Sequence, residues 1–102
     1  MNSRQKGARG ERELASKLRE YGYNARRGQQ YSGANGDADV VGMPGVHIEC
    51  KRVERLDLYA AVEQSAHDAK ADEIPVVMHR KNGKPWLVTA YLADWMADHE
   101  KA

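Results

Sequence analysis

The chain of 102 residues is long enough for one compact domain, and we expect a single domain over residues 1–102. Hydrophobic residues make up 41% and charged residues 30%, and the formal net charge of +1 excludes a strongly basic coat protein or an acidic solvating tail. No apolar run approaches the roughly 18 residues of a membrane span, and no secretion signal is recognised. The single cysteine, Cys50, excludes an intramolecular disulfide and suits a reducing cytoplasm.

The charge is unevenly distributed along the chain. Residues 1–28 carry eight basic and three acidic side chains, a balance of +5, whereas residues 56–78 carry one basic and five acidic side chains, a balance of −4. Residues 29–55 and 79–102 are nearly neutral, at −1 and +1. A basic N-terminal quarter suits phosphate binding, although a solvated helix face would give the same charge.

Hydrophobic spacing and turn residues predict the order α-β-β-β-α-β-β-α, an α/β fold with helices on a mixed sheet. Gly22 is placed to end the first helix, and Asn82-Gly83 indicates a hairpin. Residues 28–36 have no apolar periodicity and read as a mobile loop. The predicted elements are a helix over 4–21, strands over 23–27, 37–42 and 46–53, a helix over 56–71, strands over 74–79 and 86–91, and a helix over 92–100.

Two carboxylates are predicted to meet across the second and third strands. If a three-residue loop joins Gly42 to Val46, residues whose numbers sum to 88 face each other, and Asp39 then faces Glu49. Opposed like charges destabilise a sheet unless a cation neutralises them, and an all-oxygen ligand set suits Mg²⁺ or Mn²⁺. A two-residue loop would instead place Asp39 opposite Cys50.

Glu11 and Lys51 add to this pattern. Glu11 precedes Leu14 by three residues and therefore lies on the stripe of the first helix that should be apolar, although a glutamate near a helix start is also favoured by the helix dipole. Lys51 shares the strand face of Glu49, where an ammonium can orient a metal-bound water or hold a phosphate. A salt bridge to Asp37 is the simpler interpretation of Lys51.

These segments resemble the PD-(D/E)XK nuclease superfamily. The segment Asp37-Ala38-Asp39-Val40-Val41-Gly42 and the following Ile48-Glu49-Cys50-Lys51-Arg52 carry the resemblance. The opening Lys6-Gly7-Ala8-Arg9-Gly10-Glu11-Arg12-Glu13-Leu14 is similar to the first helix of the Holliday-junction-resolvase branch, including small phage and prophage members. The resemblance implies a restriction-endonuclease-like core of order α-β-β-β-α-β, with a central mixed sheet flanked by helices.

The resemblance also implies roles for individual residues. Glu11, Asp39 and Glu49 would hold Mg²⁺, with Mn²⁺ as a substitute, and the backbone carbonyl of Cys50 would be a further ligand. Lys51 would be the catalytic lysine. Gln64 matches a glutamine that often supports such sites, although it also fits an ordinary polar position on a helix edge.

Ala38 replaces the proline of the family motif. Asp37 and Asp39 point to the same face, so either could be the metal acid, and Asp39 is preferred because Val40 and Val41 follow it directly.

The expected function is metal-dependent hydrolysis of a DNA phosphodiester, with a Holliday junction as the expected substrate. No base-reading motif is present, which favours recognition of DNA shape. Symmetric cutting of a junction needs two active sites and therefore implies a homodimer, with Leu92, Trp95 and Met96 or the hairpin strands as its interface unless they are core. The residues expected to contact DNA are Arg4, Lys6, Arg9, Arg12, Arg26, Arg27 and, in the loop, Ser32.

Other functions remain open at this stage. A nuclease of the same superfamily could act on flaps, ends or single strands in phage replication, repair or packaging. A non-catalytic nucleic-acid-binding module is disfavoured because clustered acids oppose phosphate binding. A zinc enzyme is poorly supported since the four histidines lack paired ligand spacing, and Cys50 is expected to be buried and therefore a poor nucleophile.

Overall fold

The computed structural model describes residues 3–29 and 38–100, with side chains from residue 7 onward. The first helix, α1, covers Ser3–Glu20 and is followed by the short strands β1 (Arg26–Arg27) and β2 (Val40–Val41). Strand β3 (Val46–Arg52) leads into helix α2 (Leu58–Asp68), and β4 (Ile74–Arg80), β5 (Leu87–Ala90) and helix α3 (Leu92–Glu100) complete the order. The predicted α-β-β-β-α-β-β-α order is confirmed.

The five strands form one mixed sheet in the order β1-β2-β3-β4-β5. Strands β3 and β4 are parallel and pair over their full length, whereas the other neighbours are antiparallel. A parallel pair needs a crossover, and α2 supplies it between β3 and β4. The central pair of strands is therefore the most continuous part of the sheet, and β3 carries the predicted site.

Helices α1 and α2 cover opposite faces of this sheet. Leu14 and Leu18 of α1 pack with Ile48 of β3 and Met78 of β4 in the larger core cluster. On the other face, α2 packs Ala61 and Val62 on Val77, which has no exposed surface. The two faces follow from the period-two alternation along β4.

The ends of several elements differ from the sequence prediction. Of the strand expected over residues 37–42, the described residues 38–42 form a strand only at Val40–Val41, and the strand expected over 23–27 is limited to Arg26–Arg27. Helix α2 begins at Leu58 because Asp57 caps it, with the Asp57 carboxylate accepting a hydrogen bond from the Ala60 backbone N–H at 3.1 Å. Gly22 ends the first helical segment as predicted, with a φ of 98°.

Helix α3 does not contribute to the core. None of its residues is buried, so the alternative that Leu92, Trp95 and Met96 are core residues is wrong for the isolated chain. Within the described residues, no helix has the length and apolar character that crossing a membrane requires.

Ser65 joins α2 to the two central strands. Its side chain is fully buried, and its hydroxyl lies 2.9 Å from the carbonyl oxygen of His47 and 3.1 Å from that of Val76. A helix hydroxyl that contacts the carbonyl groups of two strands fixes the distance between that helix and the sheet. Ser65 therefore positions the end of α2 over β3.

We predict that Ser65→Ala lowers the free energy of unfolding by roughly 1–2 kcal/mol, because it removes a buried hydrogen-bond donor. Urea unfolding followed by circular dichroism measures this change. Ser16→Ala, at an exposed position on α1, is the matched control and should stay within about 0.5 kcal/mol of the wild type. Equal stability of Ser65→Ala and the wild type would contradict the role assigned to this hydroxyl.

Candidate active site

The structure brings the carboxyl groups of Asp39 and Glu49 together. Val40 pairs with Ile48, which is the register predicted for a three-residue loop. Asp39 lies just before β2, and its backbone N–H donates to the Ile48 carbonyl at 3.0 Å. Its Oδ2 accepts the backbone N–H of Cys50 at 2.9 Å, so a side chain takes the place of a backbone acceptor. The sheet pairing stops where the carboxylates meet.

Glu49 is held in an environment that disfavours its charge. Burial, the negative charge of Asp39 and a hydrogen bond with Asp39 together raise the pKa of Glu49 to about 8, while Lys51 acts in the opposite direction. Without a cation, the two acids therefore share a proton at neutral pH. Oxygen donors that repel each other in this way fit a divalent cation, because the ion would replace the shared proton.

Glu11 approaches this pair from helix α1. Its side chain is buried, and its Oε1 accepts a hydrogen bond from Arg27 Nε at 2.9 Å. Burial is the main cause that raises the pKa of Glu11, and the charge of Asp39 raises it further, while the bond to Arg27 opposes the shift. Glu11 and Asp39 are therefore close enough to interact electrostatically, and the placement of Glu11 on the buried stripe is confirmed.

The close packing of α1 on β3 depends on Gly10. A Cβ at this position would lie 2.6 Å from the Cβ of Arg52, so any larger residue would push the helix from the strand. Glu11 is the next residue along the helix. The absence of a Cβ at Gly10 thus allows α1 to pack close enough to β3 for Glu11 to approach Asp39.

Lys51 extends from the same face of β3 as Glu49. Its Nζ lies 3.9 Å from Glu49 Oε1, and the lysine side chain is 38% exposed whereas that of Glu49 is 13% exposed. The ammonium is thus held beside the carboxylates and remains accessible to a phosphate from solution. The expected alternative partner, Asp37, lies outside the described residues.

Gln64 is connected to the site through its hydrogen bond to Asp68. Its Nε2 donates to Asp68 Oδ2 at 2.8 Å, and both residues lie on exposed turns of α2. The charge of Asp68 in turn acts on Glu49 and raises its pKa. Gln64 is therefore placed to orient Asp68, which the sequence did not predict as part of the site.

Cys50 behaves as expected from the alternation of β3. It is buried in the larger core cluster, and burial together with the nearby acids raises the pKa of its thiol far above the ordinary value. A thiol in this state is a poor nucleophile. Its backbone contributes the N–H that holds Asp39.

The predicted DNA contacts are only partly described. Arg9, Arg12 and Arg26 are exposed, and the charge of Arg12 lowers the pKa of Glu11, which places a basic residue beside the acids. The side chains of Arg4 and Lys6 and the whole of Ser32 lie outside the described residues. Arg27 pairs with Glu11, and its side chain is 41% exposed.

Comparison with known proteins decides the family. The model of the archaeal Holliday junction resolvases (Hjc) matches residues 2–100. The chain belongs to this family. Among curated protein sequences, no relative matches.

A solved structure supports the same conclusion. The chain is similar to Hjc of Archaeoglobus fulgidus, a Holliday junction resolvase from an archaeal hyperthermophile whose structure was determined at 1.6 Å resolution. The TM-score is 0.63 and the identity 26%, over 83% of this chain and 72% of that protein. The nuclease fold and the structure-selective resolvase function expected from the sequence are thus confirmed, whereas a phage or prophage origin stays a prediction.

Three residues near the site were missed or misjudged from the sequence. His47 shares the face of Glu49 by strand alternation, but it has no second histidine at ligand spacing in the sequence that would mark it as a metal ligand. Asp68 lies 19 residues after Glu49 in the chain, and nothing before the packing of α2 on β3 indicated their proximity. Arg27 was assigned to DNA alone, whereas it also holds Glu11.

We predict that Glu49→Gln stabilises the metal-free protein, and more so at pH 8 than at pH 5. The pKa of Glu49 is raised from 4.5 to about 8, so between these values the folded chain binds a proton that the unfolded chain has lost. The wild type therefore loses stability as pH rises through this window, and glutamine removes the loss. We expect a gain on the order of 1 kcal/mol or more at pH 8.

Thermal unfolding in EDTA at the two pH values measures the difference. Glu63→Gln, at an exposed position on α2, is the control and should show no such pH dependence. A Glu49→Gln variant that is less stable than the wild type at pH 8 would contradict the assigned protonation.

Proposed function

We propose that this chain, as a single nuclease domain, resolves Holliday junctions by hydrolysing phosphodiesters with a divalent cation held by Asp39, Glu49 and Glu11. The observation that carries the proposal is the meeting of the Asp39 and Glu49 carboxyl groups. Burial, the charge of Asp39 and the hydrogen bond with Asp39 raise the pKa of Glu49 to about 8. Two adjacent, half-buried acids do not stabilise a fold by themselves. The Cys50 carbonyl is proposed as a further ligand.

Mg²⁺, or Mn²⁺ in its place, would polarise the scissile phosphate and supply a water of lowered pKa. The protein's own residues would orient the cation and the reacting groups. Asp39 is held by the Cys50 N–H, so its carboxylate is oriented before a cation binds. Lys51, held 3.9 Å from Glu49, is placed to bind a phosphate oxygen and to orient the attacking water.

Arg27 is proposed to have two partners in turn. In the free protein its guanidinium neutralises Glu11 at 2.9 Å. A cation beside Glu11 would weaken this pair, and the released guanidinium could then hold a backbone phosphate. The exposed Arg9, Arg12 and Arg26, with Arg4, Lys6 and Ser32, would extend that contact without reading bases.

We further propose that the active form is a homodimer. Symmetric cutting of a four-way junction requires two sites related by a two-fold axis. Strand β5 lies at the edge of the sheet, and α3, which follows it in the chain, exposes apolar side chains to water. We call these residues the β5–α3 surface, and they are Leu87, Val88, Leu92, Trp95 and Met96, from 42% to 75% exposed.

Cleavage of a labelled four-way junction tests the proposed chemistry. We expect cutting with Mg²⁺ and none in EDTA, and little cutting of a linear duplex of the same sequence. Lys51→Ala should bind the junction but cut it at least roughly 100-fold more slowly, because it removes a charge that acts on the reacting phosphate. Lys81→Ala, in the exposed β4–β5 hairpin, is the matched control.

Full cutting in EDTA would contradict the metal mechanism, and full-rate cutting by Lys51→Ala would remove that residue from it. Separate Asp37→Asn and Asp39→Asn variants decide which aspartate holds the ion, and we expect the larger loss from Asp39→Asn. Efficient cutting of flaps with an uncut junction would replace the resolvase proposal by a flap nuclease.

We predict that Trp95→Glu converts the dimer to a monomer, because it buries a charge in the proposed apolar interface. Sedimentation velocity measures the mass in solution. Tyr23→Glu, at an exposed aromatic residue just before β1, which lies at the opposite edge of the sheet from β5, should leave the dimer intact. A Trp95→Glu dimer as tight as the wild type would exclude this surface as the interface.

A further inference from the structure

A second group of potential ligands lies next to the proposed nuclease centre. One ligand atom from each of His47, Glu49 and Asp68 lies within 4.8 Å of the others. His47 and Glu49 lie on β3, and Asp68 is the last residue of α2. The Ser65 contacts hold α2 over β3. Glu49 thus belongs to this group and also interacts with Asp39.

His47 distinguishes this group from an ordinary acidic cluster. Its side chain is only 6% exposed, and its Nδ1 lies 3.5 Å from Glu73 Oε1. Glu73 is itself held, since the same oxygen accepts the backbone N–H of Lys70 at 2.9 Å. A carboxylate beside one nitrogen of a histidine fixes the ring and its tautomer, which leaves the other nitrogen available as a neutral ligand.

An opening in the protein surface leads to these residues. A cavity of about 170 Å³ between the β2–β3 turn and the end of α2 is lined by His47, Asp68, Lys70 and Glu73, among others. An ion can therefore reach His47 and Asp68 through this cavity. The acidic balance of −4 over residues 56–78 favours a cation here.

We propose that His47, Glu49 and Asp68 form a second cation site, which takes a transition-metal dication such as Mn²⁺ or Zn²⁺ in preference to Mg²⁺. An imidazole nitrogen with two carboxylates is a donor set that Zn²⁺ and similar ions favour, whereas Mg²⁺ prefers oxygen and water. Glu73 positions His47 and does not touch the ion. Binding at this site does not depend on the proposed nuclease function, but its coupling to the nuclease centre through Glu49 does.

Mn²⁺ binding to the full chain without DNA tests the site. Electron spin echo spectroscopy detects the ¹⁴N nucleus of a coordinating histidine, a signal that an all-oxygen site does not give. We expect this signal in the wild type, in Asp39→Asn and in the exposed control Glu63→Gln. We expect its loss in Asp68→Asn, a substitution at an exposed position that leaves the core packing unchanged.

Two further variants refine the assignment. Glu73→Gln should keep the nitrogen signal and weaken Mn²⁺ binding at this site by about 10-fold, as loss of a partner that orients a ligand does. His67→Gln, next to Asp68 in sequence and exposed, should keep both the signal and the affinity. Loss of the signal in His67→Gln would show that the exposed histidine holds the ion and would overturn the proposal.

Absence of the nitrogen signal in the wild type, or its persistence in Asp68→Asn, would also overturn the site. These outcomes are separate from failure of the nuclease proposal. A wild type that shows the signal but does not cut junctions keeps the cation site, whereas Mg²⁺-dependent cutting without the signal keeps only the nuclease centre.

Discussion

The repulsion between the carboxyl groups of Asp39 and Glu49 is the constraint on which the rest of the site depends. Their adjacency is imposed by the pairing of Val40 with Ile48 and by the bond from the Cys50 N–H to Asp39. The metal-free protein relieves this repulsion by keeping a proton on the pair, as the pKa of Glu49 near 8 indicates. The fold therefore favours binding of a cation between these two carboxyl groups, at the edge of the β2–β3 pairing.

Helices on both faces of the sheet contribute residues that surround these two carboxyl groups. From one face, α1 packs closely at Gly10 and delivers Glu11, which Arg27 balances in the absence of a ligand. From the other, Ser65 fixes α2 and so brings Asp68 to Glu49. A chain of nearly neutral charge can bind DNA in this arrangement because some of its acids, Glu11, Asp39, Glu49 and Asp68, belong to the proposed cation sites, while Arg12 and Arg27 lie beside Glu11.

The sequence predicted the parts of the site that local periodicity controls. Strand alternation put Glu49 and Lys51 on one face, the three-residue loop set the register with Asp39, and helical spacing exposed Glu11 as an acid on an apolar stripe. It could not predict Asp68 or the pairing of Arg27 with Glu11, because these depend on how α2 and β1 pack in three dimensions. The ends of β2 were also missed, since the Asp39 side chain replaces a backbone acceptor there. The β5–α3 surface could not be separated from core by hydrophobic spacing, because a core and an interface select the same residues.

The central claim is that a divalent cation takes the place of the proton shared by Asp39 and Glu49. Calorimetric titration of Mg²⁺ into the wild type at pH 7, repeated in buffers of different ionisation enthalpy, measures the protons released on binding. The account predicts release of about one proton per bound ion, and markedly less for Glu49→Gln. Mg²⁺ binding by the wild type with no proton release would contradict it.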